Sequence, residues 1–393
     1  MKYNFDVTLD HKNNESYRWN QAKNYDDFIG MATADLDYCC APCIKEALTK
    51  VAMENTYNYR MKPNSYYQAL ISYFKRNYNL EIKKEWIRDL PSTIGAIRLA
   101  LNIYTKAGDY IIMHSPYFTP IKTAIEGANC KLILNSMKLI DGRYELDLND
   151  FEQKIKKYCP KMFILVNPQN PTGRVFTKTE LTQLVDICYR YNVLILSDEV
   201  HFLITYGDHK HIPILNVNDK AKEISIQLFS FSKGYNLMSL PFAMVFIANQ
   251  KLQNQWDQEI IPYDFHYATN SFTIAAILAI AAGSGEQWLE ECKLYLQENL
   301  KLFVSECKKR NLPITPIMPE ASYILWVDCR KSSLNLNEIK TIFLEKCHIG
   351  INNGLDHGKD GYGFIRLNFG VTRQVLLEAI NRIDYLFKNQ DSH

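Results

Sequence analysis

From about residue 85 to residue 250, short apolar and β-branched runs alternate with amphipathic stretches along the chain. The apolar runs predict strands at residues 110–113, 131–134, 162–166, 193–197, 224–229 and 243–248. The amphipathic stretches predict helices at residues 94–106, 119–126, 148–158 and 178–191. Continuous apolar runs are typical of strands buried on both faces, and helices between them are typical of crossover connections. The pattern therefore predicts an α/β fold with a mostly parallel sheet.

The pattern changes after Gly283. A long amphipathic helix is predicted at 287–310, followed by a strand at 323–328, a helix at 337–346, a strand at 364–368 and a helix at 374–388. This α+β alternation suits a smaller second domain. The first 45 or so residues show no sheet core of their own, so we expect them to join the small domain or a subunit contact.

Composition excludes several classes of protein. The 393 residues carry 45 Lys and Arg against 43 Asp and Glu, with no basic block, which argues against nucleic-acid and membrane-surface binding. Asp6 and Asp10 interrupt any apolar signal peptide, and the longest apolar run, 272–283, is shorter than the ~20 residues of a membrane helix. Ten scattered cysteines predict reduced thiols and a cytoplasmic location, and no metal site is predicted.

Three polar segments each follow a predicted buried strand: Asn167-Pro-Gln-Asn-Pro-Thr-Gly173, Ser197-Asp-Glu-Val200 and Ser230-Phe-Ser-Lys-Gly234. Loops at the carboxyl ends of parallel strands are where α/β sheets bind ligands. The two Asn-Pro steps favour a rigid loop that can aim an Asn side chain, although an ordinary proline-rich turn has the same composition.

Asp198 and Lys233 are the ionisable groups in these segments. A carboxylate at the end of an apolar strand needs a cationic or hydrogen-bonding partner, and the alternative for Asp198 is a helix cap. An amine that leaves an apolar strand can be desolvated, which lowers its pKa, and the alternative for Lys233 is an exposed loop lysine. Glu199 and His201 are interpreted as supporting or solvated residues.

The motifs NPQNPTG, SDEV and SFSKG resemble the three cofactor motifs of fold-type-I pyridoxal-phosphate enzymes, the aspartate aminotransferase superfamily. Further segments resemble its cystathionine β-lyase-like C–S lyase branch, so that the resemblance runs almost from end to end: Asn4-Phe-Asp6, MATADLDY (31–38), Tyr57-Asn-Tyr59, Pro319-Glu-Ala-Ser-Tyr323 and Arg366-Leu-Asn368. The resemblance implies a large domain with a mostly parallel sheet and a smaller α+β domain, and a homodimer with shared active sites.

The resemblance also implies roles in binding pyridoxal 5'-phosphate. Lys233 would form the internal aldimine and move protons, Asp198 would pair with the pyridine nitrogen, and Asn170 would hydrogen-bond the phenolic oxygen. The remaining cofactor contacts would be ring stacking by Phe118, the helix start at Thr93 and Ile94 for the phosphate, the hydroxyls of Ser230 and Ser232, and Tyr59 from a second subunit.

On the substrate side, the resemblance implies that Arg366 binds the carboxylate of an amino acid, with Ala34 and Asn170 nearby. A structural ion pair is the alternative for Arg366, and core packing is the alternative for Tyr59. The sequence departs from the branch at Ala32, where Trp is usual, and at Phe118, where Tyr is usual. These departures leave a specialised substrate as an open hypothesis.

The implied activity is β-elimination from cystathionine or a cysteine S-conjugate, giving pyruvate, ammonia and a thiol. Two alternatives stay open: an aminotransferase or other amino-acid-transforming enzyme on the same fold, and a cofactor-binding regulatory protein. For the domain layout, we expect a large cofactor-binding domain at residues 48–286 and a small domain formed by residues 1–47 and 287–393.

Overall fold

A computed structural model describes residues 1–11, 13–22, 24–261 and 269–389. Its strands are β1 (Ile29–Gly30), β2 (Ile87–Leu90), β3 (Tyr110–Ser115), β4 (Lys131–Ser136), β5 (Lys138–Ile140), β6 (Arg143–Glu145), β7 (Met162–Val166), β8 (Leu194–Asp198), β9 (Ser225–Phe229), β10 (Ala243–Ile247), β11 (Thr315–Ile317), β12 (Ile324–Asp328), β13 (Ile349–Gly350), β14 (Asn352–Asn353) and β15 (Phe364–Asn368).

The helices are α1 (Pro42–Ala52), α2 (Asn64–Tyr78), α3 (Thr93–Tyr104), α4 (Thr119–Gly127), α5 (Leu148–Tyr158), α6 (Lys178–Arg190), α7 (Asp219–Ile224), α8 (Ser232–Tyr235), α9 (Gln250–Ile260), α10 (Ser271–Ala281), α11 (Glu286–Lys309), α12 (Ile339–Cys347) and α13 (Arg373–Lys388). Short 3₁₀ turns occur at Lys84–Trp86, Ile214–Asn216, Gly354–His357 and Lys359–Gly361.

Seven strands form the large sheet, in the order β2-β10-β9-β8-β7-β3-β4. β10 runs antiparallel to both of its neighbours, and the other strand pairs are parallel. β9 and β10 are buried at every position, as expected for a sheet covered by helices on both faces. The prediction of an α/β fold with a mostly parallel sheet is confirmed.

A second sheet is antiparallel and joins strands in the order β11-β12-β15-β14. Near it, β1 from the beginning of the chain pairs in parallel with β13. This pairing brings the N-terminal segment to the C-terminal part of the chain, which supports the predicted layout. The boundaries of the two domains stay a prediction.

The strongest periodic segments lie where the sequence predicts them. α5 has the predicted bounds, and α6, α11 and α13 differ from theirs by one residue at one or both ends. The sequence pattern did not predict α1, α2, α9 or the short strand β2. Most of the apolar run at 272–283 lies in α10.

Among the described residues, no single helix is long and apolar enough to cross a membrane. α10 and α11 together reach the required length and apolar character, but their axes are bent by 82°.

Candidate active site

The carboxyl ends of β7, β8 and β9 meet at one edge of the large sheet, and a cavity of about 210 Å³ lies there. The loop after β7 carries Asn170, β8 ends at Asp198, and the segment after β9 leads into α8. The cavity brings together most of the predicted site residues: Ala34, Thr93, Ile94, Phe118, Asn170, Asp198, Ser230, Ser232 and Lys233. Their individual roles stay predictions.

Lys233 lies in the four-residue helix α8, and its Nζ donates a hydrogen bond to the carbonyl oxygen of Ala34 at 2.6 Å. Burial lowers the pKa of Lys233 to about 8, with the charge of Arg366 lowering it and those of Asp35 and Asp198 raising it. The amine can therefore lose a proton near neutral pH, which a reactive lysine requires.

The end of α8 is tied to the segment that carries Ala34. Asn236 has a left-handed backbone with φ of 58°, and its side chain donates hydrogen bonds to the carbonyl oxygens of Leu36 and Tyr38 at 2.7 and 3.1 Å. The Leu36 N–H donates to Asn236 Oδ1 at 3.1 Å. These contacts hold Lys233 opposite the N-terminal segment.

Asp198 lies at the last position of β8 and is buried. Burial raises its pKa to about 6, while a hydrogen bond from the Val200 N–H at 3.3 Å opposes that rise. A buried carboxylate with so little compensation is stabilised by a cationic donor within hydrogen-bonding distance. A protonated pyridine nitrogen has that chemistry.

A hydroxyl-rich end of the cavity suits an anionic group. The Ser92 hydroxyl caps α3 by accepting a hydrogen bond from the Gly95 N–H at 3.0 Å, and the first residues of this helix, with their unpaired N–H groups, line the same cavity. The hydroxyls of Ser230 and Ser232 lie 2.9 Å apart. These donors fit a phosphate, because helix N-termini and hydroxyl groups both stabilise bound anions.

Arg366 lies on β15 and is only 6% exposed. Its guanidinium donates to Asn352 Oδ1 at 2.7 Å, to the Ala32 carbonyl oxygen at 2.8 Å and to Asn170 Oδ1 at 3.2 Å. Burial lowers its pKa to about 10. Within the described part of the chain no carboxylate forms an ion pair with Arg366, so the structural ion pair considered from the sequence is absent there.

A second cavity, of about 640 Å³, adjoins the first and is lined by Arg366. Both cavities share Ala34, Phe118 and Lys233 as lining residues. The structure thus places a buried cation, suited to a carboxylate, beside the lysine of lowered pKa.

Of the two interpretations of Glu199 and His201, the solvated one is wrong because both side chains are buried, and a supporting role stays a prediction. Glu199 is fully buried and accepts hydrogen bonds from His211 Nε2 at 2.6 Å and Gln227 Nε2 at 2.7 Å. His201 lines the smaller cavity, with its Nδ1 3.0 Å from Ser322 Oγ. Burial, with the charges of Lys233 and Arg366, lowers the pKa of His201 to about 3 and keeps it neutral.

Tyr59 lies outside both of these cavities in the single chain, with 83% of its surface exposed. Core packing, the alternative considered from the sequence, is therefore wrong for this residue. Its predicted contact with a cofactor in a second subunit stays a prediction.

Residues 26–383 match the model of the aminotransferase class I and II family, so the chain belongs to that family. Among curated relatives, the cystathionine beta-lyase PatB of Bacillus subtilis strain 168 is 28% identical and is matched over 97% of this chain and 98% of its own length. Protein MalY of Escherichia coli strain K12 is 28% identical, with 90% of each chain covered.

Solved structures agree with the fold. A pyridoxal-phosphate-bound putative aminotransferase from Clostridium difficile 630 is 34% identical, with a TM-score of 0.94 over 98% of this chain and 100% of that chain. Cystalysin from Treponema denticola has the same TM-score at 22% identity, over 99% of this chain and 100% of its own, which shows the fold alone.

Proposed function

We propose that the protein is a pyridoxal-phosphate-dependent C–S β-lyase that acts on cystathionine or a cysteine S-conjugate. The single observation that supports an amino-acid substrate is the burial of Arg366. This residue lacks an ion-pair partner among the described residues and adjoins the Lys233 cavity. The similarity to PatB, a cystathionine beta-lyase, over 97% of this chain supports elimination as the reaction.

The residues of the smaller cavity fit the cofactor. When bound, pyridoxal phosphate supplies an electron-withdrawing ring that stabilises negative charge at the substrate Cα. Asp198 would bind the ring nitrogen and keep it protonated, because a nearby cation stabilises the charged carboxylate. Ser230, Ser232 and the start of α3 would hold the phosphate, and Phe118 would supply an apolar wall.

On the substrate side, Arg366 would bind the α-carboxylate, and Asn170 and Asn352 would orient the guanidinium through the hydrogen bonds described above. Lys233 Nζ, whose pKa is about 8, would take the proton from the substrate Cα. Loss of the substituent on the β-carbon as a thiol would then leave pyruvate and ammonia after hydrolysis.

Incubation of the purified holoenzyme with L-cystathionine tests the proposal. We expect pyruvate, ammonia and a free thiol without an added keto acid, and no turnover in Lys233→Ala, because removal of a catalytic nucleophile costs orders of magnitude in rate. Lys331→Ala, which changes an exposed lysine outside the described site cavities, is the matched control.

The other outcomes separate the alternatives. Amino-group transfer that requires an added keto acid, with no thiol released, would assign an aminotransferase, the activity in the name of the 34% identical structure. Absence of turnover with every amino acid tested, combined with binding of a macromolecular partner by Lys233→Ala, would assign a regulatory protein.

We also propose a homodimer, a cytoplasmic location and the two-domain layout predicted above. Exposed apolar side chains at Met53, Tyr57, Tyr59 and Met61 support a subunit contact, because contiguous exposed apolar surface marks interaction sites. All ten cysteines are free, which supports a reducing compartment. Sedimentation of the purified protein as an active monomer would contradict the dimer.

A further inference from the structure

The charges among the described residues that line the larger cavity all have one sign. The ionisable lining residues are Lys233, Lys340 and Arg366, together with the phenol of Tyr17, and no Asp or Glu is among them. Asp35 and Asp198 act on Lys233, and Asp356 acts on Arg366, but none of these carboxylates lines this cavity, and Asp35 is held by Arg18 Nη1 at 3.0 Å. The cavity therefore favours a substrate with more negative charge than one α-carboxylate.

Two of the three cations already have a role in the proposed function: Lys233 binds the cofactor, and Arg366 binds the α-carboxylate of the substrate. Lys340 remains without a role. It is exposed, and within the described residues it makes no hydrogen bond or ion pair. Its ammonium is thus available to a ligand in the cavity.

The position of Lys340 on its helix supports this availability. Lys340 is the second residue of α12, and Leu344, four residues later, lines the same cavity. Residues four apart lie on the same face of a helix, so this face of α12 borders the cavity. Leu344 can contact an aliphatic chain that leads toward the ammonium of Lys340.

The cavity also has room for a substituent beyond the amino-acid part of the substrate. Its volume of about 640 Å³ lies well within the ~300–1,000 Å³ range of small-molecule sites. Ala32 and Ala34 contribute only methyl groups to its lining beside Arg366. A long leaving group therefore meets little steric obstruction near the α-carboxylate site.

We propose that Lys340 determines substrate preference by binding an anionic group on the leaving thiol of a cysteine S-conjugate. This inference rests on the proposed lyase function and adds a specificity-determining residue to it. In the reaction, the Cα proton is removed and the C–S bond breaks, with its electron pair going to sulfur, which is then protonated. One water completes the balance, so that conjugate and water give thiol, pyruvate and ammonia.

Two conjugates of equal size test the inference: S-(2-carboxyethyl)-L-cysteine, which is anionic at its far end, and its neutral amide. We expect the wild-type holoenzyme to prefer the carboxylate, and Lys340→Gln to lower the carboxylate-to-amide ratio of kcat/KM about two- to fivefold, the range of an exposed ion pair. Lys340→Glu should lower the ratio further.

Lys346→Gln is the matched control, because Lys346 is an exposed lysine at the other end of α12 and does not line the cavity. This change should leave the ratio unaltered. High salt should reduce the wild-type preference and have little effect on Lys340→Gln, since salt screens exposed charges. Each variant should still cleave the neutral amide, and this turnover shows that its active site is intact.

A binding measurement provides a second readout. In Lys233→Ala, which should not turn over, calorimetric affinities for the two conjugates should show the same preference, and the added Lys340→Gln change should remove it.

The outcomes separate the two proposals. Release of pyruvate from neither these conjugates nor L-cystathionine would overturn the proposed function. Cleavage of both conjugates with a ratio that Lys340→Gln does not change would overturn only the role of Lys340.

Discussion

Arg366 is a guanidinium that is buried among neutral acceptors. Its hydrogen bonds go to two Asn side chains and to the Ala32 carbonyl oxygen, and among the described carboxylates Asp356 acts on its charge without contacting it. A buried charge without a counter-ion in contact is costly, and a bound carboxylate offsets that cost. The folded protein thus has a position prepared for an anion.

We expect Arg366→Lys to raise KM for the amino-acid substrate about 10- to 100-fold and to change kcat less. The lysine keeps the charge but loses the planar fork that binds a carboxylate through two parallel hydrogen bonds. Steady-state kinetics of pyruvate release measures the effect. Arg330→Lys is the control, because Arg330 is exposed and pairs with Asp328. An unchanged KM in Arg366→Lys would contradict the carboxylate site.

Site residues that lie at the ends of strands could be predicted from the sequence. Site groups whose position depends on a turn or on the course of the main chain could not. Asn170, Asp198 and Lys233 follow apolar strands, so their meeting at one sheet edge is predictable. His201 could have been found only from its position three residues after Asp198, in a turn that returns its side chain to the cavity. The Ala34 carbonyl oxygen that accepts from Lys233 has no side-chain signal in the sequence.

Helix α8, which is only four residues long, depends on its packing for its position. A Cβ added to Gly234 would lie 2.3 Å from Leu203 Cδ1 and 2.7 Å from Leu203 Cβ. Such distances are too short for ordinary packing, so the glycine is what lets α8 approach the segment after β8. The position of Lys233 depends on that approach.

We therefore expect Gly234→Ala to destabilise the protein by about 1–3 kcal/mol, the usual cost of overpacking, and to lower kcat by displacing Lys233. Leu203→Ala keeps its Cβ but removes the rest of the side chain, so the loss in the double variant should be smaller than the sum of the losses in the two single variants. Urea unfolding and pyruvate release measure the two effects. Additive losses in the double variant would show that the contact with Leu203 is not the cause.

Helices and strands could be predicted from the sequence where apolar residues recur within the element at the spacing of a helix or a strand. The buried residues of α2, Tyr66, Leu70, Tyr73 and Phe74, have helical spacing, but two of them are tyrosines, whose polar ends weaken the apolar signal. β2 is short, and its Asp89 is buried only because Lys62 Nζ contacts it at 2.5 Å and Tyr66 donates to it at 2.9 Å. The four residues of β2 do not show that Lys62 and Tyr66, which lie elsewhere in the chain, will contact Asp89.

Over the whole molecule, buried histidines couple stability to pH. Burial lowers the pKa of His114 to about 4 and those of His201 and His357 to about 3, whereas an unfolded histidine has a pKa near 6.5. Below pH 6.5 the unfolded chain therefore binds more protons than the folded one, and stability is lost as the pH falls toward 4. Asp198, whose pKa is raised to about 6, and Asp37 act in the opposite direction.

We expect the free energy of unfolding of the wild type to fall between pH 6.5 and pH 5, and His114→Phe to reduce the slope by up to ~1.4 kcal/mol per pH unit. His114 packs against Phe151 and Phe163, so a phenyl ring suits its surroundings, although the contact with Asn135 Oδ1 is lost. Urea unfolding at several pH values measures the slope. His209→Gln, at a partly exposed histidine, should leave it unchanged, and an equal slope in His114→Phe would contradict the buried-histidine explanation.

The hydrogen bonds of Arg366 have a consequence for the order in which the protein is assembled during translation. The guanidinium contacts Ala32 and Asn170, which the ribosome makes early, while β15 is made near the end of synthesis. The smaller cavity is lined by residues between Ala34 and Phe242, but Asn368 of β15 holds the carbonyl oxygens of Thr33 and Asp35 on either side of Ala34 at 2.6 Å each. A nascent chain can thus complete neither its cofactor pocket nor its substrate clamp before its last strand emerges, so that both sites arise together at the end of synthesis.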